Sequence, residues 1–296
     1  MSVNISNLGT ETRNSKTENI DLLSTLEIIQ IMNEEDLNVV EAIKKVLPDI
    51  EVVIRECIKA YKNNGRIIYI GAGTSGRLGL MDAVEVVPTY NSDRFIGLIA
   101  GGAGAFIKAV EGAEDSKQLA QDDLKNINLN SNDYVIGIAA SGRTPYVIGG
   151  LDYAKQTGCQ TGCLCCNLNT EIGKHCDNKI ELSAGPEVVT GSTRLKAGTC
   201  QKIILNMIST ATMIGVGKVY GNLMVDVKAT NEKLVERCRR IVMEATGCGH
   251  ELADKTLIQT NNNCKLAIIM ILLNISLEEA KQKLDNADGM IRDAIK

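Results

Sequence analysis

Apolar residues recur every three or four positions in "STLEIIQIMNEED", and Ser24 or Thr25 stands where a helix N-cap belongs. A second helical stretch is predicted from Asn38 to Gly65, with Pro48 as a kink or break and Asn64-Gly65 as its end. The period then changes. Five short apolar runs follow: "RIIYIGAG", "RFIGLIAGG", "YVIGIAASG", "TGCLCCN" and "KIELSAG", with helix-like stretches between most of them. Such alternation predicts an α/β fold, a parallel sheet covered by helices on both faces. After Pro186 the apolar positions suit one long helix with a ligand-facing start. From about Thr230 they read as several short helices with a Gly-rich join at "TGCGHELAD". The predicted division is therefore 1–229, N-terminal helices plus the α/β domain, and 230–296, a small helical appendage. Residues 1–20 are polar and read as an extended or loosely held arm.

Composition narrows the class of ligand. The chain has 296 residues, 44% of them hydrophobic and 23% charged, which is ordinary for a soluble globular protein. A net charge of −4 argues against nucleic acid, and 3% aromatics without Trp argue against a stacking platform. A small polar ligand held by hydrogen bonds and charge fits better. The first residues lack the apolar stretch of a signal peptide, and "LAIIMILLNI" is too short to cross a bilayer, so a cytoplasmic protein without a membrane partner is expected. Ten cysteines raise the question of a metal site. Cys159, Cys163, Cys165 and Cys166, with His175 and Cys176 beyond, show no repeated C-x-x-C spacing, and on a strand their side chains alternate between faces. Buried free thiols and no metal are the expectation. His175 and His250 lie in polar, loop-like surroundings away from the Gly-rich loops.

Three loops are chemically alike, "GTSGR" (73–77), "ASGRTP" (140–145) and "TGSTRLKAGT" (190–199). Each combines hydroxyls, glycine and a basic residue, and the first two join a strand to a helix. A helix N-terminus offers unpaired N–H groups and partial positive charge, so these are phosphate-scale cradles. Gly71, Gly73 and Gly76 also match the dinucleotide pattern G-x-G-x-x-G. That reading wants an acid at the end of the second strand, where Ala100-Gly101-Gly102 stand instead. No nucleotide P-loop is present. The competing reading is that Ser75 and Ser141 merely cap helices.

Two places offer carboxylates. Glu85 sits among Ala83, Val84, Val86 and Val87. A carboxyl in an apolar pocket is pushed toward its protonated form, which suits a general acid; the alternative is an exposed Glu before Pro88. Glu111, Glu114 and Asp115 stand in "AVEGAEDS", where Glu111 and Glu114 would share a helical face. Spacing does not choose between these two.

The motifs "GAGTSGRLG", "DAVEVVPTY", "LIAGG", "AVEGAEDS", "GIAASGRTPYV", "VTGSTRLKAGT", "LNMIST" and "GNLMVD" together resemble the N-acetylmuramic acid 6-phosphate etherases, from about Thr10 to the C-terminal helices. The resemblance implies a sugar isomerase (SIS) domain, a flavodoxin-like three-layer α/β/α sandwich. It implies cleavage of the D-lactyl ether of N-acetylmuramic acid 6-phosphate to N-acetylglucosamine 6-phosphate and D-lactate, in recycling of cell-wall sugars. No metal or organic cofactor and a homodimer with active sites near the subunit interface are implied as well. Carried over by motif, Glu85 and Glu114 are the catalytic pair. Ser75, Ser141 and Thr144 match phosphate-loop positions, with Thr74, Arg143, Ser192 and Lys196 as further substrate-binding candidates. Leu168 departs from the family's usual Pro after the Asn. A phosphosugar isomerase and a non-catalytic sugar-phosphate-binding regulator are the alternative functions on such a fold.

Overall fold

A computed structural model describes residues 9–227 and 231–296. The first eight residues of the predicted arm and the predicted boundary at 229/230 lie outside the described residues. By internal contacts the chain forms two compact units, one of residues up to Ala83 plus Arg94–Ser209, the other of Val84–Asp93 plus Thr210–Lys296.

The first unit opens with α1 (Thr25–Lys45) and α2 (Leu47–Lys62). Ser24 caps α1 through a capping box with Glu27. The expected gap near Leu37 does not exist, because "EEDLNVV" contains no breaker. The break falls at Val46, where Pro48 takes a first-turn position of α2 that needs no N–H. The described part of the arm is not loose either. Thr10, Asn14 and Thr17 are buried. Asn14 Nδ2 donates to Glu35, and Thr17 Oγ1 donates to the Val188 carbonyl. Polar composition marks this segment as one held by hydrogen bonds rather than as one left in solvent.

All five predicted strands form: β1 (Ile67–Gly71), β2 (Phe95–Ile99), β3 (Tyr134–Ala139), β4 (Gln160–Cys165) and β5 (Asn178–Glu181). They lie parallel in the order β2-β1-β3-β4-β5, the flavodoxin-like arrangement. One face is covered by α4 (Lys117–Asn126) and α5 (Pro145–Gln156). Leu124, Val147 and Leu151 pack there with Ile68, Ile70 and Val135. The other face meets α2 and the start of α3 (Gly73–Tyr90), whose Gly79 lies against Tyr69 and Ile138. The approach is close: a Cβ on Gly97 would lie 2.4 Å from Leu80 Cα. Then α6 (Lys196–Gly215) begins in this unit and, like α3, runs on into the second.

The second unit contains a two-stranded ribbon, β6 (Val219–Tyr220) and β7 (Leu223–Met224), and the helices α7 (Glu232–Thr246), α8 (His250–Gln259), α9 (Cys264–Leu273), α10 (Leu277–Asn286) and α11 (Ile291–Ala294). Its core is Val225, Ile241, Val242, Leu257, Ile268, Ile269 and their neighbours. Among the described residues no helix is long and apolar enough to cross a membrane. All ten cysteines are free, and eight are buried. Burial pushes the Cys159 and Cys200 thiols up to about 12, which makes them packing groups rather than nucleophiles.

Candidate active site

The sheet order places a topological switch between β1 and β3, and the loops that follow those strands emerge side by side. Gly71 at the end of β1 is in register with Ile138 of β3 on one side and Ile99 of β2 on the other. The β1–α3 turn is tight for a steric reason. A Cβ on Gly71 would lie 2.8 Å from Gly76 N, and one on Gly76 would lie 2.6 Å from the Gly71 carbonyl oxygen. Only glycines let the helix start so near the strand end, with its first N–H groups turned toward the edge where ligands bind in such sheets.

The hydroxyls around this turn divide into two kinds. Ser75 is buried and donates to Gln201 Oε1 on α6 at 3.0 Å, so it is not a helix cap. The Thr74, Ser141, Thr144 and Ser192 hydroxyls are half-buried and make no side-chain hydrogen bond among the described residues. Thr144 precedes α5 without capping it by its side chain. Gly198 at the start of α6 lies against Thr74, which brings the third loop beside the first. Gln201 carries no signal in the sequence. Its buried amide nitrogen has no partner. Turning the amide over would make Gln201 a donor to Ser75 and leave the serine proton for an oxyanion.

Beyond β2, Gly101 (φ +90°) and Gly102 (φ +74°) fold the chain back, and Gly112 (φ +74°) turns it again into the short turn Ala113–Asp115. A Cβ on Gly101 would sit 2.8 Å from Val110 Cβ, so the return is close-packed. The expected helical face carrying Glu111 and Glu114 is absent, because Gly112 interrupts it. The turn nevertheless brings both glutamates to one cavity of about 210 Å³, lined also by Ala72, Gly73, Arg77, Ala100 and Val110.

Underneath, Asp82 of α3 is buried. It accepts hydrogen bonds from Tyr69 Oη (3.1 Å), Asn206 Nδ2 (2.8 Å) and Ser209 Oγ (3.1 Å), tying β1, α3 and α6 together. Burial, the dominant influence, pushes its carboxyl up to about 6 against those three hydrogen bonds.

The SIS domain family model matches residues 111–211, and the model for the glucokinase regulatory protein N-terminal SIS domain matches residues 49–155. An N-acetylmuramic acid 6-phosphate etherase of Bacillus cereus is 56% identical over 293 residues, covering 98% of this chain and 100% of the relative. N-acetylmuramic acid 6-phosphate etherase 2 of Lactiplantibacillus plantarum is 54% identical over 295 residues, covering 99% of this chain and 100% of its own. This chain belongs to the N-acetylmuramic acid 6-phosphate etherase family. Two solved phosphoheptose isomerases share its fold. That of Francisella tularensis is 15% identical, covers 64% of this chain and 98% of its own, and has a TM-score of 0.51. That of Neisseria gonorrhoeae is 14% identical, covers 64% and 99%, and has a TM-score of 0.50.

Of the residues matched to etherase motifs, Glu114 lines the cavity, and Thr74 and Ser75 lie in the turn beside it. Ser141, Arg143 and Thr144 form the neighbouring β3–α5 loop. Glu85 belongs to the second unit and is exposed, as are Val84 (58%) and Val87 (47%). The apolar surroundings expected for it are absent from the single chain. Sequence neighbours on a helix are about 100° apart, so only Ala83 and Val86 of that run are buried. Ser192 remains in the third loop. Lys196 does not present its ammonium to the loops: its side chain is 1% exposed and its Nζ lies 2.5 Å from Glu35 Oε2.

Proposed function

We propose that this protein cleaves the D-lactyl ether of N-acetylmuramic acid 6-phosphate by elimination and water addition, releasing D-lactate and N-acetylglucosamine 6-phosphate in the cytoplasmic recycling of cell-wall sugars. The observation that carries the activity is identity of more than half over the full length of etherase relatives. The phosphosugar isomerase alternative rests on solved structures of low identity, which share the fold alone.

In this reading the open-chain sugar presents an aldehyde at C1, which acidifies the hydrogen at C2. Glu114 removes that proton. The C3–O bond then breaks, and Glu85 gives a proton to the departing lactyl oxygen. Water adds to the unsaturated aldehyde at C3, with Glu85 as the base, and Glu114 returns its proton to C2 to complete the sugar. The uncommitted hydroxyls of Thr74, Ser141 and Thr144, with Ser75 and Arg143, hold the phosphate, and Ser192 contributes from the third loop. Phosphate lies far from C2 and C3, so its binding energy orients the reacting end.

Incubation with N-acetylmuramic acid 6-phosphate should release D-lactate; isomerisation without lactate would refute the reading. Ser141→Ala should raise KM about 10-fold, and by much less for the substrate without phosphate. Equal rises for both would remove Ser141 from the cradle.

A homodimer is part of the same proposal. Leu26, Ile29, Leu37 and Val40 are 54–69% exposed on one face of α1, roughly opposite buried Glu35, Val39 and Ala42. An apolar stripe of that length suits cover by a second copy. Light scattering that reads a single chain mass of 31.9 kDa would exclude it.

A further inference from the structure

Arg77, in the second turn of α3, holds its guanidinium against the segment after β2. Nε donates to the Phe106 carbonyl and Nη2 to the Ala105 carbonyl, both at 2.9 Å. Those bonds use two of five N–H donors. The two hydrogens on Nη1 and the second on Nη2 remain, which is the end-on edge of the fork. Among the described residues Arg77 has no carboxylate within ion-pair distance, although it lines the same cavity of about 210 Å³ as Glu111 and Glu114. The cavity wall thus carries a fixed cation, already oriented by two carbonyls, with a two-pronged donor edge uncommitted.

A planar anion with two oxygens fits such an edge in bidentate fashion. The etherase substrate carries two anionic groups. The phosphate at C6 is assigned above to the hydroxyl loops. The other is the carboxylate of the lactyl group, attached at C3, next to the carbon that Glu114 deprotonates. We propose that Arg77 binds the lactyl carboxylate and so makes the site select the ether substrate over phosphosugars that lack it. The inference rests on the proposed function and adds to it the residue that recognises the leaving group. The carboxylate takes no part in bond making or breaking; it is held before cleavage and leaves with D-lactate.

Turnover of N-acetylmuramic acid 6-phosphate and inhibition by N-acetylglucosamine 6-phosphate, measured side by side, test it. Arg77→Gln and Arg77→Lys should raise KM for the ether substrate about 10- to 100-fold. The inhibition constant of N-acetylglucosamine 6-phosphate should stay within about threefold, because that ligand has no lactyl group. Equal losses for both ligands, or no loss for either, would overturn the assignment. Should both variants fail to fold, the substrate with its lactyl carboxylate converted to an amide tests the unmodified protein, and equal KM for acid and amide overturns it. Lactate release by the unmodified protein is the separate check on the proposed function: if it is present while the Arg77 variants discriminate normally, only the inference falls.

Discussion

Glu114→Gln should slow lactate release by a factor on the order of 10²–10⁴, and Glu85→Gln by a similar factor, with little change in binding of the product sugar phosphate. Glutamine keeps the shape of each side chain and removes its ability to carry a proton. Both glutamates are exposed in the single chain, so neither substitution should lower the unfolding midpoint, and the rate loss can be read as chemistry. The two roles separate by isotope exchange in heavy water. If Glu114 takes the C2 proton, Glu114→Gln should lose exchange at C2 together with lactate release. Glu85→Gln should retain exchange at C2 while lactate stays bound in the ether. Glu111 supplies the control, since it lines the same cavity as Glu114. Glu111→Gln should change turnover by less than about threefold, as expected for a group outside the proton transfers. Loss of C2 exchange in Glu111→Gln with retention in Glu114→Gln would reassign the base. Near-normal turnover in Glu85→Gln would remove the acid.

The sheet was legible because each strand is a short apolar run bounded by turn residues, and the chain alternates strand with helix. The five runs coincide with the five strands, and small residues (Ala72-Gly73, Ala100-Gly101, Ala140-Ser141) follow β1, β2 and β3 at the loop edge. Adjacency in sequence is a poor guide to which side chains share surroundings in space. The valines around Glu85 suggested burial, but a helix sends consecutive residues to different faces, and only Ala83 and Val86 are buried there. Glu111 and Glu114 suggested a helix, but Gly112 with φ +74° turns the chain between them. They reach one cavity by a turn that spacing does not specify. The polar arm suggested looseness, but Asn167 accepts from Gly9 N and donates to Thr10 and to the Ala140 carbonyl, so the arm is held to the second loop. Asp82 and Gln201 carry no signal in the sequence because most of their partners are more than a hundred residues away: Asn206 and Ser209 beside the nearer Tyr69 for one, Ser75 for the other.

Lys196→Met should cost about 3–5 kcal/mol of stability, a large share of the roughly 5–15 kcal/mol that a domain has. In "STRLKAGT" the lysine resembles a substrate contact, yet its ammonium is sealed inside the first unit. Its partner Glu35 is 3% exposed and also accepts from Lys16 Nζ at 2.8 Å and Asn14 Nδ2 at 2.9 Å. Burial works against ionisation of Glu35, but the hydrogen bonds from Lys16 and Lys196, the Lys196 charge and Asn14 outweigh it and hold the carboxyl down to about 2. The same lysine's charge lies near Glu187, whose carboxylate accepts from the Lys196 and Ala197 backbone N–H groups at 3.0 and 2.9 Å at the start of α6. Removing the ammonium leaves two buried carboxylates short of a cation. The sign of the pH dependence follows from Glu35. A depressed folded value means stability that is present above about 4.5 and is lost as pH falls toward about 2. Urea denaturation should therefore show the unmodified protein weakening through that window, and Lys196→Met weakening less steeply because its Glu35 is held less firmly. Pairing Lys196→Met with Glu35→Leu should restore part of the stability at neutral pH, since the Glu35 charge goes too while Glu187 and the Asn14 amide stay short of a partner. A Lys196→Met protein within about 1 kcal/mol of the original, but unable to bind the phosphosugar, would return the lysine to the substrate site.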